Sequence, residues 1–307
     1  MVTSPEYAAA GARVGPYTVL AALDPAPEQP AAASPFIGRG HLGDDTVLLF
    51  TAPHGADAAR WGAEATVAHR LAVRGLLPVT QIDGAPVPRW YATPYLPVLP
   101  LPGVLAAHGG PLPERTVRAL GASLAATLAA AHAQGATHAG LSPATVLVGA
   151  EGARMAGYGA ARVAAPDGER RDTTPWLAAE CLAPEQAAGG RPRPLGDVYA
   201  LGAVLWYAAT GQPHTAAEHR ARPPEALRAV IAPCLARDPT QRLPADHVAR
   251  ALATSGSHPH ATSLDAAAPF PLPGRAVAAL ARQSAAVLAA PTPGAAAPAH
   301  PLTAPGE

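Results

Sequence analysis

The chain has 307 residues with 22 basic and 22 acidic side chains, and a formal charge of zero excludes a strongly cationic binder of nucleic acid or membrane surfaces. Two cysteines exclude a disulfide framework. There is no Lys and no Asn, so any mechanism that needs either is excluded as well. The 37 prolines are about twice the usual share, yet with 29 glycines they make up about a fifth of the chain, below the roughly 25–30% of disordered sequences. A folded core with flexible edges is expected.

Residues 1–15 read as a flexible N-terminus, and Met1 to Tyr7 lack the charge-then-apolar pattern of a secretory leader, which suits a cytoplasmic protein. Tyr17 to Leu20, Phe36 to Gly40, Thr46 to Ala52, Val79 to Ile82 and Trp90 to Tyr95 are short β-branched or aromatic runs broken by Gly, Pro and Asp, as strands are. Between the third and fourth, Asp57 to Val73 places Trp61, Ala65, Ala68 and Leu71 at helical spacing. Pro94 to Pro102 reads as a proline-rich connector. Long helical patterns follow: Glu114 to Gln134, Val198 to Thr210, Glu225 to Arg237 and Ala245 to Ala253. The most apolar stretches, Ala119 to His132 and Tyr199 to Thr210, fall short of the roughly 20 residues of a membrane span and read as core helices. Ser255 to Glu307 is an Ala/Pro-rich linker in which 275–290 suits one docking helix, with Val277, Leu280 and Val287 or Leu288 sharing a face.

Specific motifs sit on this frame. His138-Ala139-Gly140-Leu141-Ser142-Pro143-Ala144-Thr145-Val146-Leu147 resembles the catalytic loop HRDLxxxN of protein kinases. Gly157-Tyr158-Gly159 follows where that family has DFG, and Ala183-Pro184-Glu185 resembles its APE motif. Asp197-Val198-Tyr199-Ala200-Leu201-Gly202 looks like the buried start of its central helix, and Leu235, Asp238-Pro239 and Arg242 complete the pattern. In order and spacing these cover about residues 16 to 252 and resemble a bacterial Ser/Thr protein kinase domain of the actinobacterial type. The resemblance implies an α+β fold: a small β-rich lobe with one helix and a hinge over 16–97, a larger helical lobe over 98–253, and a tail over 254–307.

Kinase catalysis is mostly positioning plus charge stabilisation of the transferred phosphoryl group, and that charge is missing. In the segment Val47-Leu48-Leu49-Phe50, Phe50 takes the place of the phosphate-binding Lys. Gly140 replaces the catalytic Asp, and Thr145 and Gly157 replace the Asn and Asp that hold Mg²⁺. In the segment expected to cradle phosphates, Asp24 and Glu28 would repel them. Each tenfold loss of rate is about 1.4 kcal/mol of barrier, so losing every part leaves no phosphotransfer. Ala139 replaces the Arg that couples loop phosphorylation to catalysis, so Thr173 and Thr174, beside Arg170 and Arg171, read as a solvated polar loop.

What survives is structural. The resemblance places His138 and Tyr158 in an internal stack, Asp197 under the catalytic-loop backbone, and Glu185 with Arg242 in a buried ion pair. Glu64 is the position that pairs with the missing Lys, and it could meet an Arg or face solvent. Thr93, Pro94 and Leu96 stand at the hinge that would meet adenine.

Twelve histidines, His258 and His260 among them, show no metal-ligand spacing, and no metal site is expected. Cys181 and Cys234 read as ordinary thiols. The arginines are dispersed, against nucleic-acid binding. The expectation is a catalytically inactive pseudokinase acting as a scaffold or regulator of unidentified protein partners, with no cofactor. The alternatives are an active Ser/Thr kinase, a sensor that binds ATP without metal, and a remnant of a longer multidomain protein.

Overall fold

A computed structural model describes residues 10–23, 35–40, 45–215, 222–254 and 269–290. The small lobe is a six-stranded antiparallel sheet of β1 (Arg13–Val14), β2 (Tyr17–Ala22), β3 (Phe36–Gly40), β4 (Thr46–Thr51), β5 (Gln81–Ile82) and β6 (Trp90–Pro94), in the order β1-β2-β3-β4-β6-β5. Leu48 and Phe50 of β4 face one side of the sheet and Val47 and Leu49 the other, as the period of two requires, and all four are buried. α1 (Ala58–Arg70) follows β4. Asp57 starts it by accepting from the backbone N–H of Arg60 at 2.9 Å, and Trp61 and Ala65 are its buried apolar residues.

The chain then enters the large lobe through β7 (Leu99–Pro100) and α2 (Leu101–His108). Here the proline-rich connector is partly helical. Pro102 stands in the first turn of α2, where an amide hydrogen is not needed. α3 (Glu114–Ala133) and α6 (Pro194–Thr210) form the centre of the core, with α7 (Glu225–Cys234) and α8 (Ala245–Thr254) packed against them. α6 is apolar on nearly all sides, as a fully enclosed helix must be, and it ends at Gly211, whose φ of 73° allows its N–H to reach Tyr207 O at 2.7 Å. Gly121 lets α3 approach α6 and α8: a Cβ there would stand 2.7 Å from Leu252 and 2.9 Å from Leu205. Cys181 and Cys234 are buried and unbridged, and burial pushes both thiols up, Cys234 to about 12.

A hairpin, β8 (Val146–Gly149) with β9 (Gly152–Met155), pairs with β7 at the floor of the inter-lobe cleft. Two short helices, α4 (Ala160–Ala164) and α5 (Pro184–Ala187), bound the segment that follows. The tail pattern forms α9 (Gly274–Ala289), whose inward face keeps Leu280 and, of the two alternatives, Val287, but takes Ala276 in place of Val277. Ala276, Leu280 and Val287 are buried, whereas Val277 is 47% and Leu288 83% exposed. Asp24, Glu28, His258 and His260 lie outside the described residues. Among those described, no helix is long and apolar enough to cross a membrane.

Candidate functional site

The cleft between the lobes is where the sequence motifs converge, and its roof and floor are both apolar. Leu23, Ile37, Leu48 and Phe50 descend from the small-lobe sheet, Leu147 and Ala156 rise from the large lobe, and Val98 closes the hinge side. Phe50 stacks on Tyr91 of β6 (4.8 Å between centroids, 13° between planes), and Tyr91 stacks in turn on Trp61 of α1 (5.5 Å, 18°). These three rings link the sheet to the helix. Burial raises the Tyr91 phenol, so the stack carries no charge at neutral pH.

Glu64 meets Arg162 of α4. Arg162 donates to both carboxylate oxygens at 2.8 Å and to Thr137 O at 3.1 Å, and its guanidinium lies 4.8 Å over the Tyr158 ring. Of the two outcomes left open for Glu64, the structure thus takes the arginine. This bidentate pair ties the small-lobe helix to the segment after Gly159. A Cβ at Gly159 would stand 2.2 Å from Glu64 Oε2, so the pair closes over that glycine.

The catalytic-loop segment and the Gly157–Gly159 turn are zipped backbone to backbone. Gly159 N–H donates to His138 O at 2.8 Å and Ala161 N–H to Ala139 O at 2.7 Å. Gly140 lies so close to the turn that a Cβ on it would stand 2.0 Å from Gly157 O and 2.9 Å from Ala160 Cβ. Gly157, at φ 74°, faces Thr145, whose Cγ2 would be 2.7 Å from a Cβ at 157. Thr145 Oγ1 accepts from Ser142 N–H at 2.8 Å and lies 3.0 Å from Gly140 O, so its hydroxyl closes the loop on itself. Gly140, Thr145 and Gly157 are therefore together in space and in mutual contact, with Thr145 and Gly157 buried. A hollow beside Gly140, Asp197 and Gln186 measures about 20 Å³, room for one water molecule. Among the described residues no group of His, Cys, Asp and Glu is arranged to hold a metal.

Asp197, 1% exposed, holds the loop from below by accepting from His138 N–H, Ala139 N–H and His132 Nε2, each at 2.8 Å. That grip fixes Ala139 at φ 53°, a conformation that residues with a Cβ seldom adopt. His138 and Tyr158 meet edge to face at 6.0 Å, and burial lowers the His138 imidazole to about 4 against the opposing pull of Asp197. Arg242, with no exposed side-chain surface, donates to Glu185 Oε1 at 2.6 Å and Oε2 at 2.9 Å, to Ala236 O at 2.8 Å and to Leu195 O at 3.0 Å. At the hinge Thr93 is fully buried with a hydroxyl that has no partner among the described residues. Pro94 is exposed and has no N–H to offer, and Leu96 packs at the edge of the cleft cluster.

This arrangement of lobes, hinge and loops is shared with a solved structure. The crystal structure of a point mutant of the Mycobacterium tuberculosis PknI kinase domain superposes with a TM-score of 0.60 over 81% of this chain and 99% of that one, at 22% identity. The fold is that of a protein kinase. The homologues are bacterial Ser/Thr protein kinases. The "Probable serine/threonine-protein kinase PkwA" of Thermomonospora curvata is 30% identical over 209 residues, which are 65% of this chain and 27% of that protein. Streptomyces coelicolor PkaA is 34% identical over 166 residues, 47% of this chain and 30% of the relative. Mycobacterium tuberculosis PknD is 29% identical over 268 residues, 76% of this chain and 38% of the relative. The chain thus spans about a third of the length of these kinases. No protein-family model matches it.

Two residues of the kinase fold escaped sequence reasoning. Arg162 is one, and its only signal is its place three residues after the Gly157–Gly159 turn. Arg171 is the other. Far from lying in a solvated loop, it is fully buried and donates to Ala165 O at 3.1 Å, Gly190 O at 2.8 Å, Gln186 O at 3.2 Å and Asp167 Oδ1 at 2.9 Å. Thr173 beside it is exposed, and Arg170 pairs with Asp172.

Proposed function

We propose that this kinase-fold chain is a pseudokinase that works as a scaffold or regulator of other proteins and transfers no phosphate. The observation that carries the reading is the contact of Gly140 with Gly157. A carboxylate at either position is needed for the proton or for Mg²⁺, and here a single methyl at Gly140 would collide with backbone. The Phe50–Tyr91–Trp61 stack supports it, since three uncharged rings cannot neutralise a triphosphate. The interactions that remain, Asp197 under the loop and Glu185 with Arg242, hold a shape and supply no acid, base or metal ligand.

The test is incubation of the purified protein with radiolabelled ATP and Mg²⁺ or Mn²⁺, with a generic protein substrate and without one. No incorporation is expected. Metal-dependent incorporation that follows the folded protein through purification and is lost on Thr145→Ala would overturn the reading. Thermal-shift titration with ATP separates the sensor alternative, because a ligand at a hundred times its Kd stabilises by about 2.7 kcal/mol. No shift is expected, with metal or without.

A further inference from the structure

α9 stands far in sequence from everything it touches, and it touches both lobes. Just before the helix, Thr116 Oγ1 donates to Pro271 O at 2.6 Å, while Phe270, Leu272 and Ala276 pack into the large-lobe core beside α2. Midway, Gln283 lies on the hinge: its Nε2 donates to Val98 O at 3.0 Å and its Oε1 accepts from Tyr95 Oη at 3.1 Å. At the C-terminal end Val287, 8% exposed, enters the cleft cluster with Leu23, Ile37, Leu48 and Leu147. Roof, floor and tail helix meet there in one apolar contact.

Arg39 of β3 gives an independent observation. The residue is 7% exposed, and it donates to the O of Ala290, which caps α9, at 2.6 Å and to Val287 O in the last turn of α9. A helix C-terminus carries partial negative charge on such carbonyls, so a guanidinium is its natural cap. Without α9 the same cation would lack these acceptors in a partly dehydrated place, which is costly. The small-lobe sheet is therefore built to receive the end of a helix.

We propose that the hinge-side groove running from α2 to β3 is a binding surface for an amphipathic helix, and that α9 of this same chain is its occupant: a cis latch that fixes the two lobes and closes the adenine side of the cleft. Val287 stands between roof and floor, Gln283 takes the hinge polar groups, and Arg39 holds the end. The latch goes beyond the absence of phosphotransfer and does not rest on it. The two fail separately, because amide exchange is read with no nucleotide present.

The experiment compares the full chain with Val287→Asp and, as control, Leu288→Asp, one residue along and 83% exposed. Hydrogen–deuterium exchange should quicken at least tenfold over residues 274–290, 36–40 and 95–98 in Val287→Asp and stay at the original rate in Leu288→Asp. Adenosine, which needs no phosphate site, should bind Val287→Asp at least tenfold more tightly than the original chain. Should Val287→Asp lose its cooperative melt, Gln283→Ala removes only the two hinge hydrogen bonds and should quicken exchange over 274–290 and 95–98. Unprotected α9 amides in the original chain, identical exchange in the Val287 and Leu288 variants, or no gain of adenosine binding would each overturn the latch.

Discussion

Three glycines allow the crowding between the loop at Gly140 and the turn at Gly157 to be weighed by single methyl groups. Gly135 is at φ 74° with nothing within 4 Å of a Cβ, so Gly135→Ala carries only the left-handed strain. That strain is about 1–2 kcal/mol, offset by about 0.4–1 kcal/mol from the stiffer unfolded chain, for a net loss near 1 kcal/mol. Gly140 is outside the left-handed region, so Gly140→Ala carries only crowding: 2.0 Å to Gly157 O and 2.9 Å to Ala160 Cβ. A backbone oxygen cannot step aside as a side chain can, and the Asp197 and Ala161 hydrogen bonds hold both segments, so a loss of about 3 kcal/mol is expected, at the upper end of overpacking. Gly157→Ala combines φ 74° with a 2.7 Å approach to Thr145 Cγ2 and should lose about 3–4 kcal/mol. Urea denaturation of the three variants measures this, with midpoints moving in the order Gly135, then Gly140 and Gly157. If Gly140→Ala is no less stable than Gly135→Ala, the site has room for a side chain and the argument against a catalytic carboxylate there fails.

Arg242→Ala should cost about 3–5 kcal/mol because the guanidinium is fully buried among the Glu185 carboxylate and the carbonyls of Ala236, Leu195 and Arg237, whereas Glu185→Ala should cost less, its carboxylate being 35% exposed; a denaturation cycle should show the double variant milder than the sum. Asp197→Ala leaves the N–H groups of His138 and Ala139 without an acceptor and should destabilise by about 3 kcal/mol or more, read as a lower urea midpoint with loss of protection at 138–139 in amide exchange. His138, at about 4 in the fold against 6.5 unfolded, binds fewer protons than the unfolded chain between those values. Stability should therefore fall by about 3 kcal/mol as pH drops from 6.5 to 4, and His138→Phe should flatten that part of the pH profile.

Much of the fold was legible because its signals are local. α1, α3 and α6 announce themselves by apolar residues at helical spacing, and β3, β4 and β6 by short β-branched and aromatic runs. The start of α2 is hidden in the connector Pro94 to Pro102, because Pro100 and Pro102 look like helix breakers, although a proline in the first turn breaks nothing. On α9 the apolar spacing finds Leu280 and Val287 but offers the bulkier Val277 where small Ala276 turns inward against the large-lobe core. The motif resemblance singles out Gly140, Thr145 and Gly157 one by one, but their mutual contact is not legible, since nothing local tells that two glycines in different segments touch. Glu64 finds its partner 98 positions away, and no spacing rule reaches that far.

Arg171 changes what the long stretch between α4 and α6 can do. One side chain gathers the carbonyl of Ala165 at the beginning of the stretch and those of Gln186 and Gly190 near its end, acting as an internal rivet through a region with little regular structure. Proteases and modifying enzymes draw their targets out as extended strands, and a riveted segment resists being drawn. Thr173, though open to solvent, is therefore displayed on a fixed frame, and the stretch should survive limited digestion that cuts an ordinary irregular loop of this length.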